Sequence, residues 1–174
     1  MMIPTIETER LILRQVVMED ENDLFEIFSD DQTCLDGGGK YARKKHDPEF
    51  HDYVSKLSSQ RRYAVLLKQE MKCIGLVSLL DEKRAVTAYS LGFVMNPKYR
   101  RAGYCFEAVN AVTQYWFEKT DLQMLTTSHF PHNAASEKLI RRLGFTFEGL
   151  TRKAMLHALY GPIDLICYYK EKPL

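Results

Sequence analysis

The chain has 174 residues, of which 45% are hydrophobic, and its formal net charge is +1. This length predicts one domain, residues 1–174, with a core of its own. The charge balance argues against a bulk nucleic-acid binder, which carries a strong basic surplus. No apolar run approaches the roughly 20 residues that span a bilayer. Residues 1–5 lack the basic and apolar regions of a signal peptide. We therefore expect a cytoplasmic protein that does not bind membranes.

The first half of the chain predicts a strand, two helices and a meander of three strands. Arg10 to Val16 alternates as a strand does, and an acidic start before an apolar face predicts a helix over Glu19 to Phe28. Glycine and charge without a clear period predict a loop over Asp30 to Asp47, including a flexible triple glycine. Pro48 opens the second predicted helix. The three strand-like runs are Arg62 to Leu67, Cys73 to Leu80 and Tyr89 to Met95.

The second half of the chain begins with a helix that has one buried stripe. That stripe consists of Cys105, Val109, Val112 and Trp116. Leu122 to Thr127 predicts a strand, and Gly144 is expected to end the next helix as its C-cap. Two closing strands, Phe145 to Leu150 and Leu165 to Tyr169, are predicted to form a hairpin with a long connection. The predicted order is β-α-α-β-β-β-α-β-α-β-β.

The most informative stretch runs from Asn96 to Ala108, where a predicted strand meets a predicted helix. Unpaired N–H groups at a helix start, together with the helix dipole, favour an anion. Gly103 lets the backbone approach a ligand closely, and Arg100 and Arg101 add positive charge. This turn predicts a pyrophosphate site. The chain has no G-x-x-x-x-G-K-[ST] motif and no G-x-G-x-x-G after a strand, which argues against a P-loop and a dinucleotide fingerprint.

Four motifs in order resemble the GNAT N-acyltransferases. Arg100-x-x-Gly103-x-Cys105 resembles the family's pyrophosphate motif, [RQ]-x-x-G-x-[GA], with Cys105 where Gly or Ala is usual. The other three resemble one branch, that of ribosomal-protein N-terminal alanine/serine acetyltransferases and related small-molecule acetyltransferases. They are the opening strand Thr8 to Arg14, the N-x-x-S of Asn133 to Ser136, and the junction Leu143 to Gly149. The resemblance implies an α+β (mixed α/β) GNAT fold, with a mixed, mostly antiparallel sheet of about seven strands and about four helices.

The resemblance implies acetyl-CoA as co-substrate. Phe93, Val94 and Met95 would present strand groups to the pantetheine amides, as in strand addition, and a free N–H there would polarise the thioester carbonyl. Asn133 would contact the cofactor or only cap its helix. Backbone N–H groups of the turn would hold the pyrophosphate, and the residues of that turn are Arg100, Arg101, Ala102, Gly103, Tyr104, Cys105 and Phe106.

The usual catalytic side chains of the family do not transfer to this sequence. The resemblance puts Ser90 where many GNAT enzymes carry a glutamate base, and Ile140 where some carry a tyrosine acid. Ser136 matches a serine that the branch places near the thioester sulfur, as a catalytic donor or as a small packing residue. Glu148 is expected in a structural turn, with a catalytic base as the alternative.

The missing base favours an acceptor amine of low pKa. An α-amine of pKa about 7.8 is roughly 15% neutral at pH 7, whereas a lysine amine near 10.4 is about 0.04% neutral. We therefore predict an acetyl-CoA-dependent N-acetyltransferase that acts on a protein N-terminal α-amine or a small amine. A non-catalytic acyl-CoA-binding domain and a structural module stay open as alternatives.

The acceptor is expected to be chosen by two loops, Thr33 to Asp47 and Lys153 to Asp164. Four of their side chains either line the acceptor cleft or are solvated: Tyr41, Arg43, His157 and Tyr160. The four scattered cysteines predict reduced structural thiols. The pair His129-x-x-His132 is interrupted by Pro131 and has no second ligand pair, so no metal is expected. A monomer and a homodimer are both compatible with this composition.

Overall fold

Eight strands form one mixed sheet in the computed structural model, which describes residues 3–43 and 47–173. The order across the sheet is β1-β2-β3-β4-β5-β6-β8-β7, and every neighbouring pair is antiparallel except β5 and β6. The strands are β1 (Ile6–Glu7), β2 (Leu11–Gln15), β3 (Arg62–Leu67), β4 (Lys72–Asp81), β5 (Ala88–Met95), β6 (Met124–His129), β7 (Thr146–His157) and β8 (Gly161–Glu171).

Five α-helices in the described residues cover the two faces of the sheet. They are α1 (Glu21–Phe28), α2 (Asp31–Gly38), α3 (Pro48–Ser58), α4 (Tyr104–Lys119) and α5 (Ala134–Arg142). The helices α4 and α5 pack on one face, and α1 and α3 pack on the other. The predicted mixed α/β fold is confirmed. Within the described ranges, no helix is long and apolar enough to cross a membrane.

The predicted stripe of α4 is the centre of the larger core. Val109 and Val112 are fully buried, Trp116 is 5% exposed, and Cys105 packs at the edge of the cluster. The indole Nε1–H of Trp116 donates to the Tyr63 hydroxyl at 2.9 Å, so the polar atom of this large side chain is satisfied inside the core. This packing fixes α4, and therefore its N-terminus, against the sheet.

The loop predicted over Asp30 to Asp47 contains a helix, so that prediction was wrong in part. The Asp30 side chain accepts from the Thr33 N–H at 2.8 Å and caps α2. Gly39 ends α2 with a left-handed φ of 66°. Two glycines of the triple glycine therefore lie inside a helix, and the third closes it. The predicted loop residues 44–46 lie outside the described residues.

The long connection predicted between the last two strands was also wrong. β7 and β8 are 12 and 11 residues long and are joined by a turn at residues 158–160. A register shift between Thr151 and Met155, where Lys153 has a φ of 46°, marks a bulge in β7. The bulge and the exposed charges around it hide the alternation from which a strand is recognised. The same hairpin brings the turn against α2, where Ala158 N–H donates to the Gly39 carbonyl at 2.7 Å.

Candidate active site

A gap opens between the two parallel strands at the centre of the sheet. β5 and β6 pair only from Ala88 to Ser90, and among the described residues no strand pairs with the rest of β5 on that side. The Thr127 hydroxyl donates to the Leu91 carbonyl at 2.9 Å where the strands part. Because the strands are parallel, α4 and α5, which follow them, both begin at the open end of the gap. Such a crevice at the carboxyl ends of parallel strands is a common ligand site.

Backbone groups of β5 line one side of the gap. The Leu91 carbonyl faces the gap, whereas the Asn96 N–H donates to the Ile74 carbonyl on the β4 side at 2.8 Å. Since successive residues of a strand direct their backbone groups to opposite neighbours, those of Phe93 and Met95 face the gap. Val94 directs its backbone groups to β4 instead. The open strand edge is therefore provided by Phe93 and Met95.

The turn after β5 has two residues in the left-handed region. Asn96 is buried, and its side chain accepts from the Lys98 N–H at 3.1 Å, which starts a short 3₁₀ turn at Pro97–Tyr99. Arg101 follows with a φ of 64° and Gly103 with a φ of 85°, and α4 begins at the next residue. This backbone path turns successive N–H groups towards the same side.

Six successive N–H groups of this turn, Arg101 to Phe106, have no acceptor within the described residues. The first helical bond comes only afterwards, from the Glu107 N–H to the Gly103 carbonyl at 3.0 Å. The turn is open to solvent, since Arg101 and Ala102 are exposed. A run of free N–H groups at the start of a 16-residue helix favours an anion, as the expected pyrophosphate requires.

The side chains of this turn have separate roles. The Arg100 guanidinium donates to the Thr33 hydroxyl at 2.6 Å and to the Met95 carbonyl at 3.3 Å, so it ties the turn to α2 and β5. The Arg101 residue is exposed at the turn itself. Burial raises the pKa of the Cys105 thiol to about 12, so this sulfur is protonated at neutral pH. The variation from Gly or Ala to Cys105 is accommodated by packing against the core.

The N-terminus of α5 lies on the other side of the gap. Asn133 is its N-cap, and its side-chain oxygen accepts from the Ser136 N–H at 3.0 Å. The Asn133 amide also donates to the Asp36 carbonyl of α2 at 3.2 Å. The structure thus shows Asn133 as a helix cap, and its contact with the cofactor stays a prediction. Ser136 is half-buried, and its hydroxyl has no hydrogen-bond partner in residues 3–43 and 47–173.

A polar cleft of about 470 Å³ lies where β5 and β6 part. Ser90 and Thr126 alternate with Leu91 and Leu125, which are buried against α4, so the cleft is on the opposite face of the sheet. The polar side chains that line it include Glu82, Arg84, Ser90, Thr126, Ser128 and Glu148. Both carboxylate oxygens of Glu148 accept from Arg84, at 2.7 and 3.0 Å.

The other predicted acceptor residues lie elsewhere. Tyr41 and Tyr160 are more than half exposed, and neither they nor Arg43 line the polar cleft. His157 is buried, with its ring 5.1 Å from that of Phe130. Gly39 is required beneath it, because a Cβ there would lie 3.2 Å from the His157 Cα. The two predicted loops therefore pack against each other. In the described part of the chain, no group of His, Cys, Asp or Glu is arranged to hold a metal.

Three contributors to the site have no local signal in the sequence. Thr127 reaches Leu91 across 36 positions, and Arg84 reaches Glu148 across 64. Glu107, in the first turn of α4, accepts from the Arg10 N–H across 97 positions. Ile140, expected in place of a catalytic tyrosine, is fully buried and provides no proton donor.

The fold, the gap between β5 and β6, and the turn form the arrangement that is expected of a GNAT acyltransferase. The family described as "Acetyltransferase (GNAT) domain" matches residues 10–146, which is more than half of the chain. The chain belongs to this family of acetyltransferases, which use acetyl-CoA as co-substrate. The relatives it matches are named N-acetyltransferases, and the chain is an enzyme of that kind.

Relatives with a curated name and solved structures agree on this family. YoaA of Bacillus subtilis, named an uncharacterized N-acetyltransferase, is 25% identical over 99% of this chain and 99% of its own. The [ribosomal protein uS5]-alanine N-acetyltransferase of Escherichia coli is 28% identical over 87% of this chain and 82% of its own. A GNAT-family acetyltransferase from Bacillus anthracis superposes with a TM-score of 0.87 at 24% identity, covering 97% of this chain and 99% of that one. The last likeness is one of fold.

Proposed function

We propose that this enzyme takes the acetyl group of acetyl-CoA and transfers it directly to a primary amine, either a protein N-terminal α-amine or a small amine. The observation that carries the proposal is the run of six free N–H groups, Arg101 to Phe106, at the end of an open strand edge. This arrangement suits a diphosphate followed by an extended, amide-bearing arm. The likeness to a uS5-alanine N-acetyltransferase supports the α-amine.

The donor fits the gap in one direction. With the diphosphate at the turn, the pantetheine arm runs back along β5 from Met95 towards Leu91, roughly 13 Å at about 3.3 Å per residue. Its amides meet the Met95 N–H and the Phe93 backbone groups, since the Met95 carbonyl already accepts from Arg100. The thioester then lies beside the polar cleft where the strands part. The Phe93 N–H is the strand donor that polarises the thioester carbonyl in this arrangement.

The polar cleft is the proposed entrance for the amine. Its charged lining contains two carboxylates, Glu82 and Glu148, and one guanidinium, Arg84, so it carries one net negative charge. An ammonium group is attracted to such a cleft. The hydroxyl groups of Ser90 and Thr126 then hydrogen-bond the amine but do not take its proton. Both carboxylates of the cleft are paired with Arg84, at 3.6 Å for Glu82 and 2.7 Å for Glu148, so in this proposal the acceptor loses its proton to solvent. An amine of pKa near 8 does this readily at neutral pH.

Direct attack is favoured over an acetyl-cysteine intermediate. The neutral amine nitrogen attacks the thioester carbonyl carbon, the carbon–sulfur bond breaks, and the CoA thiolate leaves. The nitrogen releases one proton to solvent, and the thiolate takes one up, with Ser136 donating a hydrogen bond to the sulfur or relaying that proton to it. Cys105 stays a thiol because burial raises its pKa to about 12. The Cys167 thiol lines the cleft, but within the described residues its sulfur makes hydrogen bonds only to the Leu165 carbonyl at 3.7 Å and the Thr151 hydroxyl at 3.4 Å. Neither group is a base that activates a thiol.

Calorimetry and thiol release together test this function. CoA should bind the enzyme, and acetyl-CoA should release thiol when a peptide with a free N-terminus is added. The same peptide with a blocked N-terminus is the control. Binding without turnover on any peptide or small amine would favour a non-catalytic acyl-CoA-binding protein. The absence of CoA binding would contradict the proposed donor.

A further inference from the structure

A carboxylate lies in the first turn of α4, close to the place proposed for a doubly charged diphosphate. Glu107 follows Gly103 by one helical turn. An acidic side chain suits a free helix N-terminus, but beside a bound anion its charge is repulsive. The position therefore requires that the carboxylate be turned away from the anion and neutralised.

Three hydrogen bonds and an ion pair from the segment before β2 satisfy this requirement. The Thr8 hydroxyl and the Arg10 N–H donate to one oxygen of Glu107, at 2.6 and 3.0 Å. Nε of Arg10 donates to the other oxygen at 2.7 Å, and Nη2 lies 2.6 Å from the same oxygen as an ion pair. The Glu107 side chain is only 18% exposed. Burial works to raise its pKa, but these hydrogen bonds and the charge of Arg10 outweigh burial, and the pKa of Glu107 lies below its ordinary value.

The same guanidinium also holds the backbone of the turn. Nη1 of Arg10 donates to the Ala102 carbonyl at 3.0 Å, and the guanidinium carbon lies 4.5 Å from the centre of the Tyr104 ring. Because the peptide unit is planar, a carbonyl that points to Arg10 directs the N–H of Gly103 to the opposite side. Arg10 thus keeps a carbonyl oxygen away from the anion and turns an N–H towards it.

We propose that Arg10 and Glu107 are a positioning pair that sets the turn after β5 for the diphosphate of the donor. The proposal rests on the proposed function, since it assigns the turn to acetyl-CoA. Neither residue touches the reacting atoms. The pair acts only on the diphosphate end of the donor. Its loss should therefore lower kcat/KM for a donor that has a diphosphate and leave kcat/KM unchanged for a donor that has none.

Two donors and the Arg10→Met variant test the proposal. Acetyl-CoA carries the diphosphate, and S-acetylpantetheine has the same thioester and arm without it. We expect Arg10→Met to lower kcat/KM for acetyl-CoA by about tenfold, the scale of one charge-assisted hydrogen bond. The kcat/KM for S-acetylpantetheine should stay within about twofold of the wild type. Adding Glu107→Gln to Arg10→Met should recover part of the loss with acetyl-CoA, because it removes the unpaired carboxylate.

Arg14→Met is the matched control. Arg14 lies on β2, the strand that begins directly after Arg10. Two of its guanidinium nitrogens donate to the Asp20 carboxylate, each at 2.8 Å, but on the opposite face of the sheet. The Arg14→Met variant should leave the ratio of kcat/KM for the two donors unchanged, even where it lowers the stability of the protein. If Arg10→Met does not fold, Arg10→Lys replaces it, since one ammonium cannot donate to Glu107 and Ala102 in the same forked geometry.

Equal losses with both donors, or no loss with either, would overturn the positioning pair. A wild type that binds CoA without turning over contradicts the proposed function alone. The pair is then judged by calorimetry, where Arg10→Met should weaken CoA binding about tenfold and Arg14→Met should not. Unchanged CoA affinity in a folded Arg10→Met protein would overturn the pair in that case.

Discussion

Gly103→Val should remove most of the affinity for CoA. Gly103 has a φ of 85°, and an added Cβ would meet only the Arg10 guanidinium, at 3.4 Å. The left-handed backbone therefore sets the cost to folding, about 1–2 kcal/mol for a residue with a side chain. The cost to binding is larger. The two methyl groups would extend from a Cβ that lies 3.4 Å from the Arg10 guanidinium, so they displace that group and the turn that it holds. The loss of two charge-assisted hydrogen bonds to the diphosphate, at about 1.5 kcal/mol each, predicts roughly a hundredfold weaker binding.

The control variant Gly161→Val separates the cost to folding from the cost to CoA binding. Gly161 has a φ of 67°, lies after the turn between β7 and β8, and has no atom within 4 Å of an added Cβ. The two variants should therefore lose similar free energies of unfolding in urea. Calorimetry with CoA should show weak binding for Gly103→Val and wild-type binding for Gly161→Val. A folded Gly103→Val protein whose CoA affinity is within about twofold of the wild type would refute this placement of the diphosphate.

Three further changes test the catalytic account. Ser136→Ala should lower kcat about tenfold in thiol-release assays while leaving CoA affinity in calorimetry nearly unchanged, because the hydroxyl acts on the leaving thiolate. Cys167→Ser should leave the rate within about twofold, and intact mass spectra after mixing with acetyl-CoA should show no acetyl-enzyme. Glu107→Gln should destabilise the protein at pH 7, measured by urea unfolding. Since the folded pKa of Glu107 is lowered, that difference should shrink as pH falls below 4.5 and through the folded pKa.

Each of these predictions has a contradicting result. A loss in Ser136→Ala confined to KM for acetyl-CoA would assign the serine to packing. If the mass spectra show an acetylated species for the wild type but not for Cys167→Ser, the enzyme forms a covalent intermediate at Cys167. A destabilisation of Glu107→Gln that is the same at pH 7 and at pH 3 would mean that the carboxylate charge has no part in holding the turn.

The sequence predicted those parts of the molecule that depend on neighbouring residues. The stripe that includes Val109 and Trp116 predicted α4, and its burial is confirmed. The turn around Gly103 was predicted from a strand, a glycine and a helix start, all of which are local signals. The capping alternative for Asn133 was likewise available from its position before a helix, and the structure shows it.

Two kinds of feature were missed. Some are contacts between residues that are far apart in the chain, and others are helices or strands whose composition is unusual for their structure. The helix α2 was not predicted because it contains two glycines. It begins after the Asp30 cap and ends at Gly39, which has a left-handed backbone. Exposed charges and a bulge at Lys153 obscured the length of β7. No local pattern reports that Arg10 meets Glu107 or that β5 and β6 part after Ser90, because both follow from how the sheet is assembled.

The central claim is that the enzyme transfers acetyl from acetyl-CoA to an amine without a strong base of its own. Thiol release from acetyl-CoA, measured across pH with two peptides of the same sequence, tests it most directly. One peptide has a free N-terminus and no lysine, and the other has a blocked N-terminus and one lysine. The account predicts that the first is acetylated at neutral pH, with a rate that rises about tenfold per pH unit below the pKa of its amine and levels off near pH 8. Efficient acetylation of the lysine peptide at pH 7, with no use of the α-amine, would contradict it.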